Sequence, residues 1–182
     1  RFNNNINAIK TLKLIEEENR YATSAEQEIL SKYIGWGGIS EVFDDTKSNW
    51  KNEYNTLKSL LNADEYEQAR ASTLNAHYTP PELINTIYKV IEKSGFEKGK
   101  ILEPSMGIGN FFGLLPEKFK NSELYGVELD SITGRIAKQL YPTANIQING
   151  FEKTTFKDNY FDIAIGNVPF GNYQIVDKNN VE

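Results

Sequence analysis

The part of the chain that follows Gly99 alternates between short apolar runs and stretches with the apolar spacing of a helix, and this alternation restricts the fold more than any other feature. The apolar runs are rich in β-branched and aromatic residues, and turn-forming residues separate them. Because strands that alternate with helices form a parallel sheet, the sequence predicts a doubly wound α/β sheet. The predicted strands are 101–102, 124–127, 146–148 and 161–165, and the predicted helices begin near Asn110 and cover 131–140.

The last apolar run, 160–166, is followed by Asn-Val-Pro-Phe at 167–170, which we call the Asn-Val-Pro-Phe segment. Val168 is biased toward an extended backbone because it precedes a proline, and Pro169 has no N–H to donate to a neighbouring strand. The segment is therefore expected at the carboxyl end of a buried strand, where ligands of open α/β sheets bind. An amide, a carbonyl and an aromatic ring there are suited to holding a planar amine. Taken alone, the segment favours a simpler interpretation, an exit from the strand into an Asn-rich turn.

Residues 100–112 have the pattern of a short strand, a tight turn and the start of a helix, with glycine at 107 and 109. Glycines let the backbone approach a ligand closely, and a helix N-terminus presents free N–H groups to it. The third glycine of the dinucleotide pattern would fall at Phe112 and is missing, so this pair alone is more often an ordinary turn. Glu128, nineteen residues after Gly109, ends the next strand, where an acid can hold ribose hydroxyls or begin a helix.

Two motifs together carry a resemblance to a known family. Glu-Pro-Ser-x-Gly-x-Gly-Asn-Phe at 103–111 and Asn-x-Pro-Phe at 167–170 resemble the S-adenosylmethionine-dependent methyltransferases that modify the exocyclic amine of adenine in DNA. More narrowly, segments 32–38 and 74–80 resemble the methylase portion of large methylase–helicase proteins of phages and bacterial mobile elements. The resemblance implies a Rossmann-like class I methyltransferase sheet, of which about four parallel strands lie in this chain. It also implies S-adenosylmethionine as the cofactor and DNA as the partner.

The resemblance further implies roles for residues around the cofactor. One group borders its methionine end, a second forms the cofactor loop, an acid holds the ribose and an aromatic ring stacks on the adenine. In that order they are Tyr78, Thr79 and Pro80; Glu103, Ser105, Gly107 and Gly109; Glu128; and Phe151. The family usually has an Asp beside that aromatic ring, and none occupies the place here, so a polar contact to the adenine is not expected from Phe151 or its neighbour Glu152.

The catalytic residues that the resemblance implies are Asn167, Val168, Pro169 and Phe170. The amine of adenine is a weak nucleophile because its lone pair is delocalised into the ring. The amide oxygen of Asn167 and the carbonyl of Val168 can each accept one amine hydrogen, and Phe170 can stack on a base extruded from the duplex. The family usually has proline where Val168 stands, but the carbonyl is retained and Pro169 still holds it extended. This chemistry requires no metal.

Two other functions fit the same residues. An Asn-x-Pro-aromatic segment can also hold the flat side-chain amide of a glutamine in a protein substrate. Alternatively, the chain is a non-catalytic methylase-like module that docks DNA for an attached helicase. A nicotinamide-dependent dehydrogenase is disfavoured, because the third glycine of the dinucleotide pattern is absent.

The composition is that of an ordinary globular domain: of 182 residues, 39% are hydrophobic, 25% are charged and none is cysteine. No apolar run is long enough for a membrane span, so we expect a cytoplasmic protein without disulfides or thiolate metal sites. The net charge of −5 disfavours strong DNA binding by the chain itself, because phosphate contacts need Lys and Arg clusters. We therefore expect a piece of a longer mobile-element or restriction-modification protein, whose recognition or helicase domains supply the DNA contacts. We also expect a dimer contact, a partner or the segment 173–176 to cover the open edge of the sheet.

The N-terminal part of the chain predicts helices, because apolar residues recur with helical spacing from position 6 to position 15 and again further along. We expect a helical subdomain over 1–75 and an S-adenosylmethionine-binding core over 76–182. The helices are expected to pack on the core and to cover the cofactor cleft. Within them, Ser-Ala-Glu-Gln at 24–27 resembles a capping box that begins a helix. Trp36 is expected to be a core anchor between helices in preference to a surface for base stacking.

Overall fold

The structure, a computed structural model, describes residues 1–73 and 79–168. Within these ranges, a group of helices precedes a region in which helices alternate with strands. The N-terminal helices are α1 Phe2–Glu17, α2 Ser24–Leu30, α3 Lys51–Leu60 and α4 Ala63–Ser72. They are followed by α5 Pro81–Lys93, β1 Lys100–Glu103, α6 Asn110–Gly113, β2 Glu123–Glu128, α7 Ser131–Leu140, β3 Asn145–Ile148 and β4 Ile163–Ala164. None of the helices in the described ranges is long and apolar enough to cross a bilayer.

The four strands form one parallel sheet in the order β3-β2-β1-β4. Leu102 of β1 pairs with Tyr125 of β2 on one side and with Ala164 of β4 on the other. The chain therefore builds outward from β1 through β2 to β3 and then returns to the other side of β1. The gap between the ends of β1 and β4 is a topological switch point, where ligands of such sheets bind. The predicted parallel α/β sheet of about four strands is confirmed.

Helices α5, α6 and α7 cover one face of the sheet. Ile101 of β1 packs in one cluster with Ile84 and Tyr88 of α5, and Ile146 of β3 packs in another with Ala137 of α7. Because side chains alternate between the two faces of a strand, these contacts fix the helical side. The helices thus fix the position of the carboxyl ends of β1 and β2 relative to the loops that follow them.

The opposite face of the sheet carries an aromatic cluster in the described part of the chain. Tyr125 of β2 makes edge contacts with Phe156, Tyr160 and Phe161, with ring centroids 6.3, 5.6 and 5.2 Å away. Such edge-to-face pairs are a favoured arrangement of aromatic rings. The segment that connects β3 to β4 therefore covers this face, where the doubly wound pattern predicts helices.

The N-terminal helices share one hydrophobic core with α7. Ile9 and Leu12 of α1 and Trp36 belong to the same buried cluster as Ile132 and Ile136 of α7. The helices therefore pack on the sheet-containing part, as the sequence analysis expects. The predicted boundary between 75 and 76 lies outside the described residues, so the division into two domains stays a prediction.

The capping box of α2 lies one residue earlier than the sequence analysis places it. Thr23, and not Ser24, is the N-cap residue: the Glu26 N–H donates to the Thr23 hydroxyl, and the Thr23 N–H donates to the Glu26 carboxylate at 2.8 Å. Arg20 decides the register, because its guanidinium holds the same carboxylate through two bonds of 2.7 Å. Glu26 is thereby fixed at the third position of the helix.

Strand β4 is shorter than predicted and not fully buried. The structure pairs only Ile163 and Ala164 with β1, where strand 161–165 is predicted, and Ala164 is exposed. Backbone bonds from Asp162 to Lys100 and from Ile165 to Leu102 nevertheless keep the flanking residues beside β1. The reason is positional: β4 is the outer strand among the described residues, and no described strand lies beyond it.

Trp36 is a core anchor, as expected. Its side chain is fully buried and makes an edge contact with Phe43 at 5.5 Å and a tilted contact with Phe2 at 6.3 Å. A ring enclosed in this way has no face to offer to a base. The preference for a structural role over base stacking is confirmed.

Replacing Trp36 by alanine is expected to lower the free energy of unfolding by about 3–5 kcal/mol, since it empties a large space in the shared core. Urea unfolding followed by circular dichroism measures the change. Leu14→Ala is the control, because Leu14 lies on α1 but is 48% exposed and is expected to change stability little. Wild-type stability of the Trp36 variant would contradict the anchoring role.

Candidate functional site

The loop after β1 turns sharply and brings two glycines to the carboxyl edge of the sheet. Gly107 and Gly109 adopt φ angles of 58° and 89°, in the left-handed region that favours glycine. The Met106 N–H donates to the carbonyl of Val127 at 3.0 Å, and the Gly109 N–H donates to the Met106 carbonyl at 2.8 Å. The loop is therefore fastened to β2 before α6 begins.

The two glycines have different surroundings. A Cβ atom on Gly109 would lie 2.5 Å from Cε2 of Tyr141, so glycine is needed there for packing. A Cβ atom on Gly107 would meet no described atom within 4 Å. The free space in front of Gly107 is a place where a ligand can approach the backbone closely.

Glu128, at the end of β2, is tied to the glycine loop. One carboxylate oxygen accepts the Gly107 N–H and the other accepts the Asp130 N–H, both at 2.8 Å. Burial raises the pKa of Glu128 to about 7, although these N–H groups favour the charged form. Each carboxylate oxygen can accept a further hydrogen bond, so the acid can still hold a ligand hydroxyl.

Glu103, the last residue of β1, carries a buried carboxyl group with an unpaired atom. Its side chain is 3% exposed, and Oε2 has no hydrogen-bond partner among the described residues. Burial raises its pKa well above the ordinary value of 4.5, and the negative charge of Glu128 raises it further. Because a buried polar atom without a partner is costly, this carboxyl is suited to receive a donor from a ligand.

The Asn-Val-Pro-Phe segment begins beside this loop. The Ile165 N–H donates to the Leu102 carbonyl at 2.8 Å, and a Cβ atom on Gly166 would lie 3.5 Å from Cδ of Pro104, so the chain that enters the segment runs close beside the end of β1. Asn167 is partly buried, and Val168 is 52% exposed. The switch point between β1 and β4 therefore brings the glycine loop and the start of the Asn-Val-Pro-Phe segment to the same edge of the sheet.

The other predicted site residues are partly accounted for. Ser105 belongs to the glycine loop, and Pro80 is the N-cap residue of α5, with Thr79 directly before it. Phe151 is 48% exposed and follows β3, at the same edge of the sheet as Glu128. Tyr78, Pro169 and Phe170 lie outside the described residues.

Leu129, which lies at this edge, was missed by the sequence analysis. Leu129 follows Glu128 and is 69% exposed. Few large apolar side chains among the described residues are as exposed. Asp130 is buried and caps α7 by accepting the Thr133 N–H at 2.7 Å. The sequence did contain a signal for Leu129: it is an apolar residue between two acids at the end of a strand. Neither the apolar run of the strand nor the apolar spacing of the next helix accounts for it.

The described residues hold no group of three or more His, Cys, Asp or Glu side chains placed to bind a metal. A cavity of about 480 Å³ does occur, but it lies beside the start of β3, lined by Tyr125, Tyr141 and Lys138 among others. It does not include the glycine loop, Glu103 or Glu128. The carboxyl edge of the sheet, where Gly107 faces open space and Glu103 has an unpaired oxygen, is therefore the better candidate for the functional site.

Comparison with known proteins identifies the family. The model of the family described as N-6 DNA Methylase matches residues 60–182. The chain belongs to this family. S-adenosylmethionine is the cofactor that membership of the family implies, and the unpaired carboxyl of Glu103 and the open space at Gly107 fit a ligand that carries a cationic amine and must lie close to the backbone.

Three curated proteins are similar to parts of this chain. It is 32% identical to Defense against restriction protein B of Escherichia phage P1 over 111 residues, 58% of this chain and 5% of that protein. It is 32% identical to the type II methyltransferase M.CvrRI of Paramecium bursaria Chlorella virus XZ-6E over 93 residues, 51% of this chain and 24% of the relative. It is 34% identical to the modification methylase CviBIII of virus NC1A over 70 residues, 38% of this chain and 19% of the relative.

The chain thus spans at most about a quarter of the length of these relatives. Among solved structures, a proposed class I S-adenosylmethionine-dependent methyltransferase of Listeria monocytogenes aligns with 98% of this chain and 61% of that one. The TM-score is 0.46 and the sequence identity is 14%.

Proposed function

We propose that this chain carries the cofactor site and the catalytic segment of an enzyme that transfers a methyl group from S-adenosylmethionine to the exocyclic amine of adenine in DNA. The observation that supports this most is the proximity of the two motifs: the Ile165 N–H donates to the Leu102 carbonyl at 2.8 Å, so the chain enters Asn167 beside the end of β1, from which the glycine loop starts. A methyl donor and an amine acceptor have to meet at such a junction. Family membership supports the same chemistry.

In this proposal the cofactor lies across the carboxyl ends of β1, β2 and β3. Glu103 would accept hydrogen bonds from the ammonium group of the cofactor through its unpaired oxygen, and Glu128 would accept from the ribose hydroxyls. Gly107 would let the methionine portion approach the backbone. Leu129 and Phe151, exposed at the ends of neighbouring strands, would flank the adenine ring. Tyr78, Thr79, Pro80, Ser105 and Gly109 would complete the walls of the site.

The bound cofactor supplies an electrophilic methyl group on a sulfonium centre. Asn167 Oδ1 and the Val168 carbonyl would each accept one hydrogen of the adenine amine, which draws its lone pair out of the ring and toward the methyl carbon. Pro169 would keep Val168 extended, and Phe170 would stack on the extruded base. As the new N–C bond forms, the S–C bond breaks and positive charge develops on the amine. The two oxygens stabilise that charge, and the amine then loses a proton to solvent.

The direct test is transfer of a radiolabelled methyl group from S-adenosylmethionine, using the protein that contains this chain. Duplex and single-stranded DNA containing adenine form one arm, and a peptide containing glutamine forms the other. Label on N6 of adenine supports the proposal. Label on the peptide alone would replace it with a protein glutamine methyltransferase, and cofactor binding without transfer to either acceptor would favour a docking module.

Gly107→Ala is expected to weaken S-adenosylmethionine binding by about tenfold or more while lowering stability only by the strain of a left-handed alanine, about 1–2 kcal/mol. Gly109→Ala imposes the same strain and in addition forces Cβ against Tyr141, so it is expected to lower stability further. Calorimetric titration of the cofactor and thermal unfolding separate the two effects. Equal cofactor affinity in wild type and Gly107→Ala would contradict the close approach at Gly107.

A further inference from the structure

Helix α4 of the N-terminal part reaches the beginning of α7. The side-chain oxygen of Gln68 accepts the N–H of Ser131 at 2.8 Å, although the two residues are 63 positions apart. Ser131 is the first residue of α7, and the first N–H groups of a helix have no partner within the helix. The N-terminal helices therefore supply a hydrogen bond that α7 cannot make for itself.

The same end of α7 is connected to the candidate cofactor site. Asp130, which caps α7, donates its own N–H to Glu128 at 2.8 Å. The other oxygen of Glu128 accepts the Gly107 N–H, also at 2.8 Å. Gln68, Ser131, Asp130, Glu128 and Gly107 thus form a continuous path from α4 to the glycine loop. The position of the turn 128–131 determines where the Glu128 carboxylate points.

Helix α4 is itself held firmly against α7. Glu65 is 4% exposed, and its carboxylate accepts from Arg135 of α7 and from Lys13 of α1, both at 2.8 Å. Arg135 also pairs with Glu16 of α1 at 3.0 Å. Because sliding α4 along α7 would separate the buried Glu65 carboxylate from its two cationic partners, such a shift is costly. The position of α4 therefore fixes where the Gln68 side chain meets Ser131.

We propose that Gln68 is a positioning residue for the cofactor site: by fixing the Ser131 N–H it holds the turn 128–131, and through that turn it aims Glu128 at the ribose of the cofactor. The inference rests on the proposed function, because it takes Glu128 as the ribose-binding acid. It gives the N-terminal helices a part in cofactor binding that does not require them to touch the cofactor. Gln68 itself makes no contact with the ligand in this role.

The chain offers a matched control at the other end of the same helix. The Gln139 side-chain oxygen accepts the Ala22 N–H at 2.9 Å, and the Gln139 carbonyl accepts from Gln27 at 2.8 Å. This contact also joins the N-terminal part to α7, but it lies eight residues from Ser131, about 12 Å along the helix. Gln139→Met therefore removes a hydrogen bond of the same kind, partly buried where the Gln68 bond is exposed, without affecting the turn 128–131.

The test measures S-adenosylmethionine binding by calorimetry in wild type, Gln68→Met, Gln68→Glu and Gln139→Met, with thermal unfolding of each. Methionine keeps the length of glutamine but is a poor acceptor, and glutamate keeps the oxygen. We expect a three- to tenfold weaker affinity for Gln68→Met, in line with the loss of one hydrogen bond, and wild-type affinity for the other two variants. Equal affinity in Gln68→Met and wild type would overturn the proposal, and so would equal weakening by Gln139→Met.

Amide hydrogen exchange without ligand separates this inference from the proposed function. In Gln68→Met, the Asp130 and Gly107 amides, both bound to Glu128, are expected to exchange several times faster than in Gln139→Met. Unchanged exchange at both amides would overturn the positioning role whether or not the cofactor binds. Faster exchange in a protein whose wild type does not bind S-adenosylmethionine would support the hydrogen-bond path and would refute the proposed function instead.

Discussion

Asn167→Ala is expected to lower the rate of methyl transfer to adenine by about a hundredfold or more, the effect seen when one preorganised polar group is removed from a site of developing charge. The amide oxygen of Asn167 would accept an amine hydrogen and stabilise the charge on nitrogen, and alanine can do neither. The affinity for S-adenosylmethionine should stay unchanged, because in the proposed site the amide would contact the acceptor and not the cofactor. Single-turnover transfer from radiolabelled cofactor and calorimetric titration measure the two quantities.

Val168→Ala is the matched control for this substitution. Val168 would contribute only its backbone carbonyl, and its side chain is 52% exposed, so the carbonyl stays in place when the side chain is shortened. We expect the transfer rate to remain within about threefold of wild type, because the substitution shortens an exposed side chain and leaves the backbone carbonyl unchanged. If Val168→Ala were as slow as Asn167→Ala, the side chains would not act as proposed. If Asn167→Ala retained full activity, the segment would not be catalytic.

The order of the elements and the position of the glycine loop could be predicted from the sequence because their causes are local. Short apolar runs rich in β-branched and aromatic residues indicate strands, apolar residues that recur every 3.6 positions indicate helices, and a strand followed by glycines and a helix start marks the loop. The contact between Glu128 and Gly107 follows from the same logic, since the carboxyl ends of adjacent parallel strands share one edge. The full helix 131–140 was predicted with its observed bounds for this reason.

What could not be predicted depends on which side chains pair with each other, both within a short stretch and between distant parts of the chain. The register of the α2 capping box was missed because Thr23 and Ser24 are both good caps, and only the pairing of Arg20 with Glu26 selects one of them. The bond between Gln68 and Ser131 leaves no local pattern at all. The unpaired state of the Glu103 carboxyl is likewise a result of burial, which spacing along the sequence does not reveal.

Glu103→Gln is expected to weaken S-adenosylmethionine binding by about tenfold to a hundredfold, because it removes a charge-assisted hydrogen bond in a buried place. The ammonium group of the cofactor would then face a neutral amide. Glu97→Gln is the control for the substitution itself, since Glu97 is exposed and remote from the loop. Unchanged cofactor affinity in Glu103→Gln would contradict the proposed partner of the unpaired oxygen.

In the protein without ligand, Glu103→Gln is expected to remove a pH-dependent loss of stability, whereas it weakens binding of the cofactor. The pKa of Glu103 is raised well above 4.5 in the folded state, and that of Glu128 is raised to about 7, so both carboxyls bind protons more strongly in the folded than in the unfolded chain. Stability is therefore expected to fall as the pH rises from 4.5 through these raised values. Glu103→Gln removes one of the two contributions and should flatten the profile measured by urea unfolding at several pH values.

Cofactor binding should therefore be coupled to proton release. Glu103 has to be ionised to pair with an ammonium group, so a protein that holds it protonated must lose a proton when the cofactor binds. We expect the affinity of wild type to increase as the pH rises above 4.5, until the raised pKa of Glu103 is passed. Titrations in buffers with different ionisation enthalpies count the protons released. The Glu103→Gln variant should release fewer than wild type, with the remainder due to Glu128, whose own release should end near pH 7. Equal proton release in the two proteins would show that Glu103 does not change its charge on binding.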